Sequence, residues 1–176
     1  MYAKTQNTWP GEVVQARRVG IAPPASCADG LDKEIAKIVT AHGCRTLLRA
    51  TYTDVTGLRA ATVGIAVFPD MAAADAAESD LHRSGDGRLA DRRGLLMARF
   101  PGTVVDRFDD AQRQIFQMST NHTSYMFFRS EGPMIAQAGV PAKRTVRVQI
   151  AEDLLGKIMT VLADDGEPCK RKAVRC

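Results

Sequence analysis

Long hydrophobic runs are missing from this sequence: no apolar stretch reaches the roughly 18 residues that predict a membrane-spanning helix. Residues Met1–Pro10 are polar and lack the apolar centre of a secretory signal peptide. If the protein is exported, we therefore expect this chain to be a mature or trimmed form without its anchor. The apolar fraction of 45% and the charged fraction of 25% are those of a folded globular domain.

A strong excess of one charge is also missing once the C-terminus is set aside. The net charge is +4, and Lys170–Cys176 holds four of the 24 lysines and arginines; the remaining 20 balance the 20 aspartates and glutamates. This balance argues against a nucleic-acid surface that covers the domain. The tail could contact phosphate or another polyanion, although a solvated end is the simpler interpretation. The basic residues in question are Lys170, Arg171, Lys172 and Arg175.

Motifs that predict catalysis are scarce. No Gly-x-Ser-x-Gly elbow occurs, and Ser84–Gly87 lacks the Lys-Ser/Thr pair of a phosphate loop. His122, on a predicted strand, is a candidate general base, but a lone strand histidine is more often a surface residue. His42 and His82 lie at the ends of predicted helices, where an imidazole complements the helix dipole. We predict no catalytic residue and no cofactor.

The four cysteines carry the clearest information about compartment. None belongs to a Cys-x-x-Cys pair and only Cys44 has a histidine nearby, so we predict no metal site. Two local pairs are typical of two disulfides in an oxidising compartment. Three pairings are possible, and we favour Cys27–Cys44 with Cys169–Cys176. Four free thiols in a cytosolic protein are the alternative.

Two further clusters have both a functional and a structural interpretation. Tyr125, Phe127 and Phe128 on one predicted strand could stack a base, but Arg129 is the only basic residue among them, which favours core packing. The polar segment Arg83–Gly94 is either a solvated loop or an anion-contacting one. Its arginines are Arg83, Arg88, Arg92 and Arg93.

The centre of the chain is predicted to be a strand–strand–helix unit. Apolar residues alternate in Cys44–Thr53 and in Leu58–Phe68, which is typical of strands with one buried face. The polar turn between them predicts a hairpin. Asp70 can cap the alanine-rich helix Met71–Leu81, because its carboxylate can accept the free N–H groups of the first turn.

The remaining elements extend this unit to an α+β fold with an antiparallel sheet and helices mainly on one face. The order is β-α-β-β-α-β and then β-β-α, and the first six elements match a ferredoxin-like arrangement. The further predicted elements are strand Glu12–Ile21, a helix from Ser26 or Asp29 to His42, strands Leu95–Arg99, Phe116–Arg129 and Met134–Val140, a turn at Glu131–Pro133 and helix Ile150–Ala163.

We divide the chain into three parts. Residues 1–26 form an N-terminal arm and first strand, with the strand itself over 12–21. Residues 27–168 form a single α+β domain to which that strand belongs. Residues 169–176 form the basic, Cys-flanked tail. The exposed edge of Met134–Val140 could pair between chains, and the oligomeric state is left open.

Several short phrases resemble a group of actinobacterial extracytoplasmic proteins of unknown function, which an N-terminal membrane helix often anchors. The phrases are the Cys27…Gly43-Cys44 bracket, Leu48–Tyr52, Thr62–Val67, and Gly132-Pro133 before a strand that ends in Ala138-Gly139. The resemblance as a whole spans roughly Val14 to Ala163. The resemblance implies an exported domain outside the cell membrane and no assigned activity.

Three functions remain open at this point. The first is a non-catalytic extracytoplasmic binding, sensing or protein-interaction domain with an unknown protein or cell-envelope partner. The second is a small ferredoxin-like enzyme whose apolar cavity is lined by methionines, which more often fill gaps in a core. The third is polyanion or nucleic-acid contact through the basic tail. The methionines concerned are Met71, Met97, Met118, Met134 and Met159.

Overall fold

A computed structural model of the chain describes residues 2–6, 13–85, 94–113, 115–135 and 150–164. These residues form an antiparallel six-stranded sheet with helices on both faces, which confirms the predicted α+β class. The strands are β1 (Tyr2–Gln6), β2 (Val13–Ile21), β3 (Thr46–Asp54), β4 (Arg59–Val67), β5 (Ile115–Ser119) and β6 (Tyr125–Pro133). The helices are α1 (Cys27–Gly30), α2 (Lys33–Ala41), α3 (Met71–Gly85) and α4 (Glu152–Asp164).

The sheet order is β1-β2-β3-β4-β6-β5, and every neighbouring pair is antiparallel. The ferredoxin-like expectation is therefore wrong. That arrangement separates the two strands that flank its first helix by a third strand, whereas here β2 and β3 flank α1 and α2 and lie side by side. The predicted strand Leu95–Arg99, which would have completed the pattern, does not join the sheet.

The predicted central unit is present as β3, β4 and α3. The carboxylate of Asp54 accepts the backbone N–H of Arg59 at 3.1 Å, and Gly57 adopts a positive φ of 70° in the turn between the strands. The carboxylate of Asp70 accepts the backbone N–H of Ala73 at 2.8 Å. It thereby caps α3 as the sequence predicted.

The two faces of the sheet are covered by different elements. Face A carries Leu47, Arg49 and Thr51 of β3, and helices α1, α2 and α3 pack on one end of it around Leu47, Ile35 and Phe128. Face B carries the alternate residues, and the start of α4 packs there. Three of the helices thus share one face, as predicted. The face B cluster includes Tyr52, Val63, Phe127, Ile150 and Leu155.

The segment Leu95–Phe100 crosses the other end of face A rather than forming a strand. Three of its backbone groups bond to hydroxyl side chains of the sheet. The carbonyl oxygen of Ala98 accepts the hydroxyl of Thr51, and the N–H of Ala98 donates to the hydroxyl of Thr62. The carbonyl oxygen of Leu95 accepts the hydroxyl of Ser130 at 2.5 Å. These three hydroxyl residues are register partners on β3, β4 and β6, and we call them the hydroxyl row. The prediction of a strand over Leu95–Arg99 is therefore wrong, because the segment is held to the sheet by side-chain hydroxyls, and the backbone N–H of Leu96 donates to Gly30 of α1.

Helix and strand boundaries differ from prediction at three further places. The helix expected to reach His42 is broken at Leu31, which is extended and bridges to Leu95, and Ser26 caps the short α1. Phe116–Arg129 is not one strand, because Asn121 has a positive φ of 50° in a turn between β5 and β6. Glu131–Pro133 belongs to β6 rather than to a turn. Proline is tolerated at position 133 because β5 pairs with β6 only as far as Glu131, so no strand on that side needs an N–H group from residue 133.

The first residues also differ from the expected arm, since Tyr2–Gln6 pair with β2. Helix α4 confirms the last predicted helix. The predicted loop Arg83–Gly94 begins later than expected, because α3 continues past the predicted end at Leu81 to Gly85, and residues 86–93 lie outside the described residues. Most of strand Met134–Val140 and the tail 169–176 with Cys169 and Cys176 also lie outside them. Within the described ranges, no helix is both long enough and apolar enough to traverse a bilayer.

Candidate functional site

An open groove of about 460 Å³ lies between the loop after β2, helix α1, strand β3 and the Leu96–Arg99 segment. We call it the Arg49 groove. Its apolar wall consists of Ala22, Pro23, Leu96, Met97 and Ala98. Its charged side chains are Asp29, Arg49, Arg99 and Asp110. The volume falls within the range of about 300–1,000 Å³ that is common for small-ligand sites.

Arg49 is the least satisfied charged group of this groove. It projects from face A of β3, where its Nη1 donates to the carbonyl oxygen of Leu96 at 3.3 Å. Its Nε is buried and has no hydrogen-bond partner among the described residues. Burial lowers the pKa of Arg49, and nearby Asp110 and Asp29 act in the opposite direction. Nε is enclosed, so its missing bond costs about 1–3 kcal/mol and offers no contact to a ligand. Arg49 is a candidate for binding a ligand because it lines the groove and its Nη2 makes no hydrogen bond among the described residues.

The close approach of α1 to β3 helps to place this guanidinium. A Cβ atom on Gly30 would lie 2.3 Å from Cδ2 of Leu47 and 3.2 Å from Nε of Arg49. Glycine is therefore required where the end of α1 passes over β3. The absence of a side chain lets the end of α1 pack against Nε and Cζ of the Arg49 guanidinium.

The two aspartates of the groove differ in how far they are already bonded. Asp110 accepts the backbone N–H of Met97 at 2.9 Å and Nη2 of Arg99 at 3.1 Å, so Arg99 and Asp110 neutralise each other. Asp29 is exposed, and its Oδ2 accepts only the hydroxyl of Ser26 at 2.7 Å among the described residues. Asp29 and Arg49 interact electrostatically but form no ion pair. The groove thus presents one available cation and one available anion.

The far wall of the groove is held by Arg113, which is only 6% exposed. Its Nη1 and Nη2 bind both oxygens of Asp32 at 2.8 and 2.9 Å, which is the bidentate geometry of strong arginine–carboxylate pairs. Its Nε donates to the carbonyl oxygen of Asp110 at 2.9 Å. Arg113 therefore joins the start of α2 to the groove wall and keeps Asp110 in place.

The predicted disulfide Cys27–Cys44 is present. It links residues 17 positions apart, with Cα atoms 6.2 Å apart. Cys27 begins α1 and Cys44 precedes β3, so the bond ties together the two elements that carry Asp29 and Arg49. The second predicted pair and the proposed anion contacts lie outside the described residues; these are Cys169, Cys176, Lys170, Arg171, Lys172 and Arg175.

The three histidines all contact carboxylates of α3. Nε2 of His42 lies 2.6 Å from Oδ2 of Asp80, and hydrogen bonds from His42 and Arg83 lower the pKa of Asp80. Nδ1 of His122 lies 3.5 Å from Asp75, and the His122 side chain is 86% exposed. No group of three or more His, Cys, Asp or Glu in the described ranges is arranged to hold a metal ion.

Glu131 is a buried charged residue outside the groove, on face B under the start of α4. Its Oε1 lies 3.3 Å from Nε of Arg59, and its Oε2 accepts the backbone N–H of Ile150 at 2.8 Å. Burial raises the pKa of Glu131 to about 6, although Arg59 and the Ile150 N–H act against this. Its side chain is 0% exposed, so it positions α4 and does not contact a solvent-borne ligand.

The other sequence candidates do not converge on one site. Phe127 and Phe128 are buried on opposite faces, and Tyr125 meets Phe127 edge-on at 6.4 Å between ring centroids. Four of the five methionines are distributed among three apolar clusters, and the fifth, Met71, is 51% exposed. Of these methionines, Met97 lines the groove.

Sequence reasoning overlooked Arg49 and Asp29 as a site. One signal was available: Arg49 occupies the same alternating positions as Leu47 and Thr51, which are buried. A charged residue in the inward register of a central strand needs an explanation, and here the explanation is a groove. The presence of Asp29 in the same groove depends on how α1 packs, and the spacing of the two residues in the sequence does not predict it.

Comparison of the chain with protein-family models, with curated proteins and with solved structures gives no match.

Proposed function

We propose that the protein is a non-catalytic extracytoplasmic binding domain and that the Arg49 groove is its binding site. The observation that carries the proposal is the guanidinium of Arg49, which is half-buried beside a groove with one hydrogen bond made and its Nε unbonded among the described residues. Arg49 lines the groove and its Nη2 makes no hydrogen bond among the described residues, so a ligand oxygen can accept from that nitrogen.

The charged groups of the groove suit binding better than proton transfer. The guanidinium groups of Arg49 and Arg99 carry N–H donors and no acceptor atom, so they bind and orient a ligand. Asp110 is already occupied by Met97 and Arg99. Such a set holds a ligand by charge and hydrogen bonding, as expected of a binding or sensing domain.

The extracytoplasmic part of the proposal is supported by the Cys27–Cys44 disulfide, because disulfides persist in oxidising compartments and are rare in the cytosol. The resemblance to exported actinobacterial domains favours the same compartment. Its phrases Leu48–Tyr52 and Thr62–Val67 fall on β3 and β4, the strands at the middle of the sheet.

Cell fractionation of the natural producer, combined with mass analysis after thiol alkylation, tests this assignment. We expect the chain in the envelope or medium fraction, with Cys27 and Cys44 unalkylated until a reductant is added. A chain in the cytosolic fraction with both thiols alkylated at once would contradict the proposal. Deletion of Lys170–Cys176 distinguishes polyanion binding by the basic tail from binding by the groove. Polyanion binding that disappears with the tail would belong to the tail and not to the groove.

A further inference from the structure

We propose that the Arg49 groove binds a small zwitterion of the α-amino acid type. The carboxylate of the ligand would bind Arg49, its ammonium group would bind Asp29, and an apolar side chain would lie along Leu96–Ala98. This inference rests on the proposed function, because it names the ligand class of the same groove.

The carboxylate half of the ligand is inferred from the free donors of Arg49. A guanidinium has five N–H donors in a planar fork, and one of them is used here, on the carbonyl oxygen of Leu96. Nε is enclosed and out of reach of a ligand, whereas Nη2 makes no hydrogen bond among the described residues and Arg49 lines the groove. A carboxylate is planar and can accept two parallel N–H bonds from such a fork, which makes it the matching group.

The ammonium half is inferred from Asp29. Oδ2 of Asp29 accepts the hydroxyl of Ser26, and Oδ1 has no partner among the described residues. Asp29 and Arg49 both line the groove, and no ion pair joins them. A ligand whose positive and negative groups are separated by one carbon atom would satisfy both side chains.

The charge balance of the groove distinguishes this ligand from a simple anion. Its charged side chains are two arginines and two aspartates, and Arg99 is neutralised by Asp110. A phosphate dianion at Arg49 would therefore lie near the carboxylate of Asp29, and the described lining of the groove offers no second free cation to offset the repulsion. A zwitterion carries no net charge and avoids this cost.

The apolar wall indicates the side chain of the ligand. Met97 and Ala98 are buried, and Leu96 and Ala22 are half-buried. These side chains offer a surface against which an aliphatic group can lose its contact with water. The groove volume of about 460 Å³ is sufficient for an amino acid of the size of leucine.

An NMR titration of the oxidised, ¹⁵N-labelled protein tests the proposal with four matched probes. The probes are L-leucine, L-leucinamide (no carboxylate), N-acetyl-L-leucine (no ammonium group) and inorganic phosphate. We expect saturable shifts for L-leucine that include the Nε–H signal of Arg49. Each analogue that lacks one charged group should bind at least about tenfold more weakly, because a charge-assisted hydrogen bond is lost.

Two pairs of variants connect the titration to the residues. Arg49→Gln and Asp29→Asn should each weaken L-leucine binding about tenfold or more. Arg45→Gln and Asp106→Asn are the matched controls, since both residues are exposed and neither lines the groove, and their binding should not change. If a groove variant fails to fold, the titration of the wild-type protein with the four probes still tests the proposal.

Three results would overturn the inference. The first is N-acetyl-L-leucine binding as tightly as L-leucine, which would remove the role of Asp29. The second is phosphate binding more tightly than L-leucine, which would make the groove an anion site. The third is the absence of any shift at the Arg49 Nε–H. The first two results overturn the zwitterion but keep the groove as a binding site, provided that the other probe shifts Arg49. The third result also removes the groove from the proposed function, while the fractionation and thiol experiment tests the compartment independently.

Discussion

The hydroxyl group of Thr51 donates a hydrogen bond to the carbonyl oxygen of Ala98 at 2.7 Å, although the two residues are 47 positions apart in the chain. The same Thr51 oxygen lies 2.8 Å from the hydroxyl of Thr62, which accepts the backbone N–H of Ala98 at 3.3 Å. Both backbone groups of one groove residue are thus satisfied by the hydroxyl row. Ala98 of the apolar wall is thus held to the sheet by side chains and not by a strand pairing.

Replacing Thr51 by valine should therefore destabilise the protein. The substitution keeps the β-branched shape and removes the donor, so the buried carbonyl oxygen of Ala98 loses its partner. We expect the free energy of unfolding to fall by about 1–3 kcal/mol in urea titrations. Thr46→Val on the same strand is the control, because Thr46 makes no side-chain hydrogen bond in the described structure, and it should change stability by less than about 0.5 kcal/mol. Equal effects would contradict the role of the hydroxyl row.

Gly64 of β4 leaves room for the side chain of Leu95, and adding a methyl group there should be costly. A Cβ atom on Gly64 would lie 2.7 Å from Cδ1 of Leu95, which is fully buried. We expect Gly64→Ala to lower the free energy of unfolding by about 1–3 kcal/mol through overpacking. Gly156→Ala is the matched control on α4, since nothing among the described residues lies within 4 Å of the position that its methyl group would take.

The control variant Gly156→Ala should change the free energy of unfolding in the opposite direction. Gly156 is exposed within a helix, so alanine there should raise stability by about 1 kcal/mol or less. Thermal unfolding of both variants under the same conditions checks the pair. If Gly64→Ala were as stable as the unchanged protein, the segment Leu95–Phe100 would not press against β4 as described.

Reduction of Cys27–Cys44 should lower stability because the unfolded chain regains the freedom that the bond removes. For a loop that closes residues 17 positions apart, a chain-entropy model gives a loss of about 3 kcal/mol. Urea unfolding with and without reductant measures it. The Cys27→Ser/Cys44→Ser variant controls for the other cysteines, since any further effect of reductant on it belongs to them. No difference between oxidised and reduced protein would refute a structural role for the bond.

Glu131 makes stability depend on pH in a window set by its raised pKa. The folded-state value is about 6 and the ordinary value is 4.5, so between these values the folded protein holds a proton that the unfolded chain releases. Stability must then fall as pH rises through this window, by about 2 kcal/mol, and the contribution is constant above it.

The Glu131→Gln variant should lose this pH dependence, because glutamine mimics the protonated form at every pH. Unfolding free energies at pH 4.5 and pH 7 in both proteins provide the test, and Glu34→Gln, an exposed change on α2, is the control. A Glu131→Gln protein with the same pH profile as the unchanged one would show that another group dominates the window.

Local patterns predicted much of the fold. The strand–turn–strand–helix unit of β3, β4 and α3 follows from alternation, a turn glycine and the Asp70 cap, all of which act between residues close in sequence. The helix α4 and the pairing Cys27–Cys44 were also predictable, the latter because both cysteines flank one short helical region. The prediction of a strand at Leu95–Arg99 was wrong for an equally local reason. A buried, extended segment has the same apolar pattern in the sequence whether its hydrogen bonds go to a neighbouring backbone or to side chains.

The amino-acid sequence by itself determined the α+β class, the central hairpin, the capped helix and the disulfide, because short-range backbone and side-chain preferences suffice for them. Only the tertiary structure decided the antiparallel order of the sheet, the path of Leu95–Phe100 across the hydroxyl row, and the meeting of Arg49 with Asp29 beside a groove. These features depend on contacts between distant residues. Packing sets which distant polar groups meet and which buried donor is left without a partner.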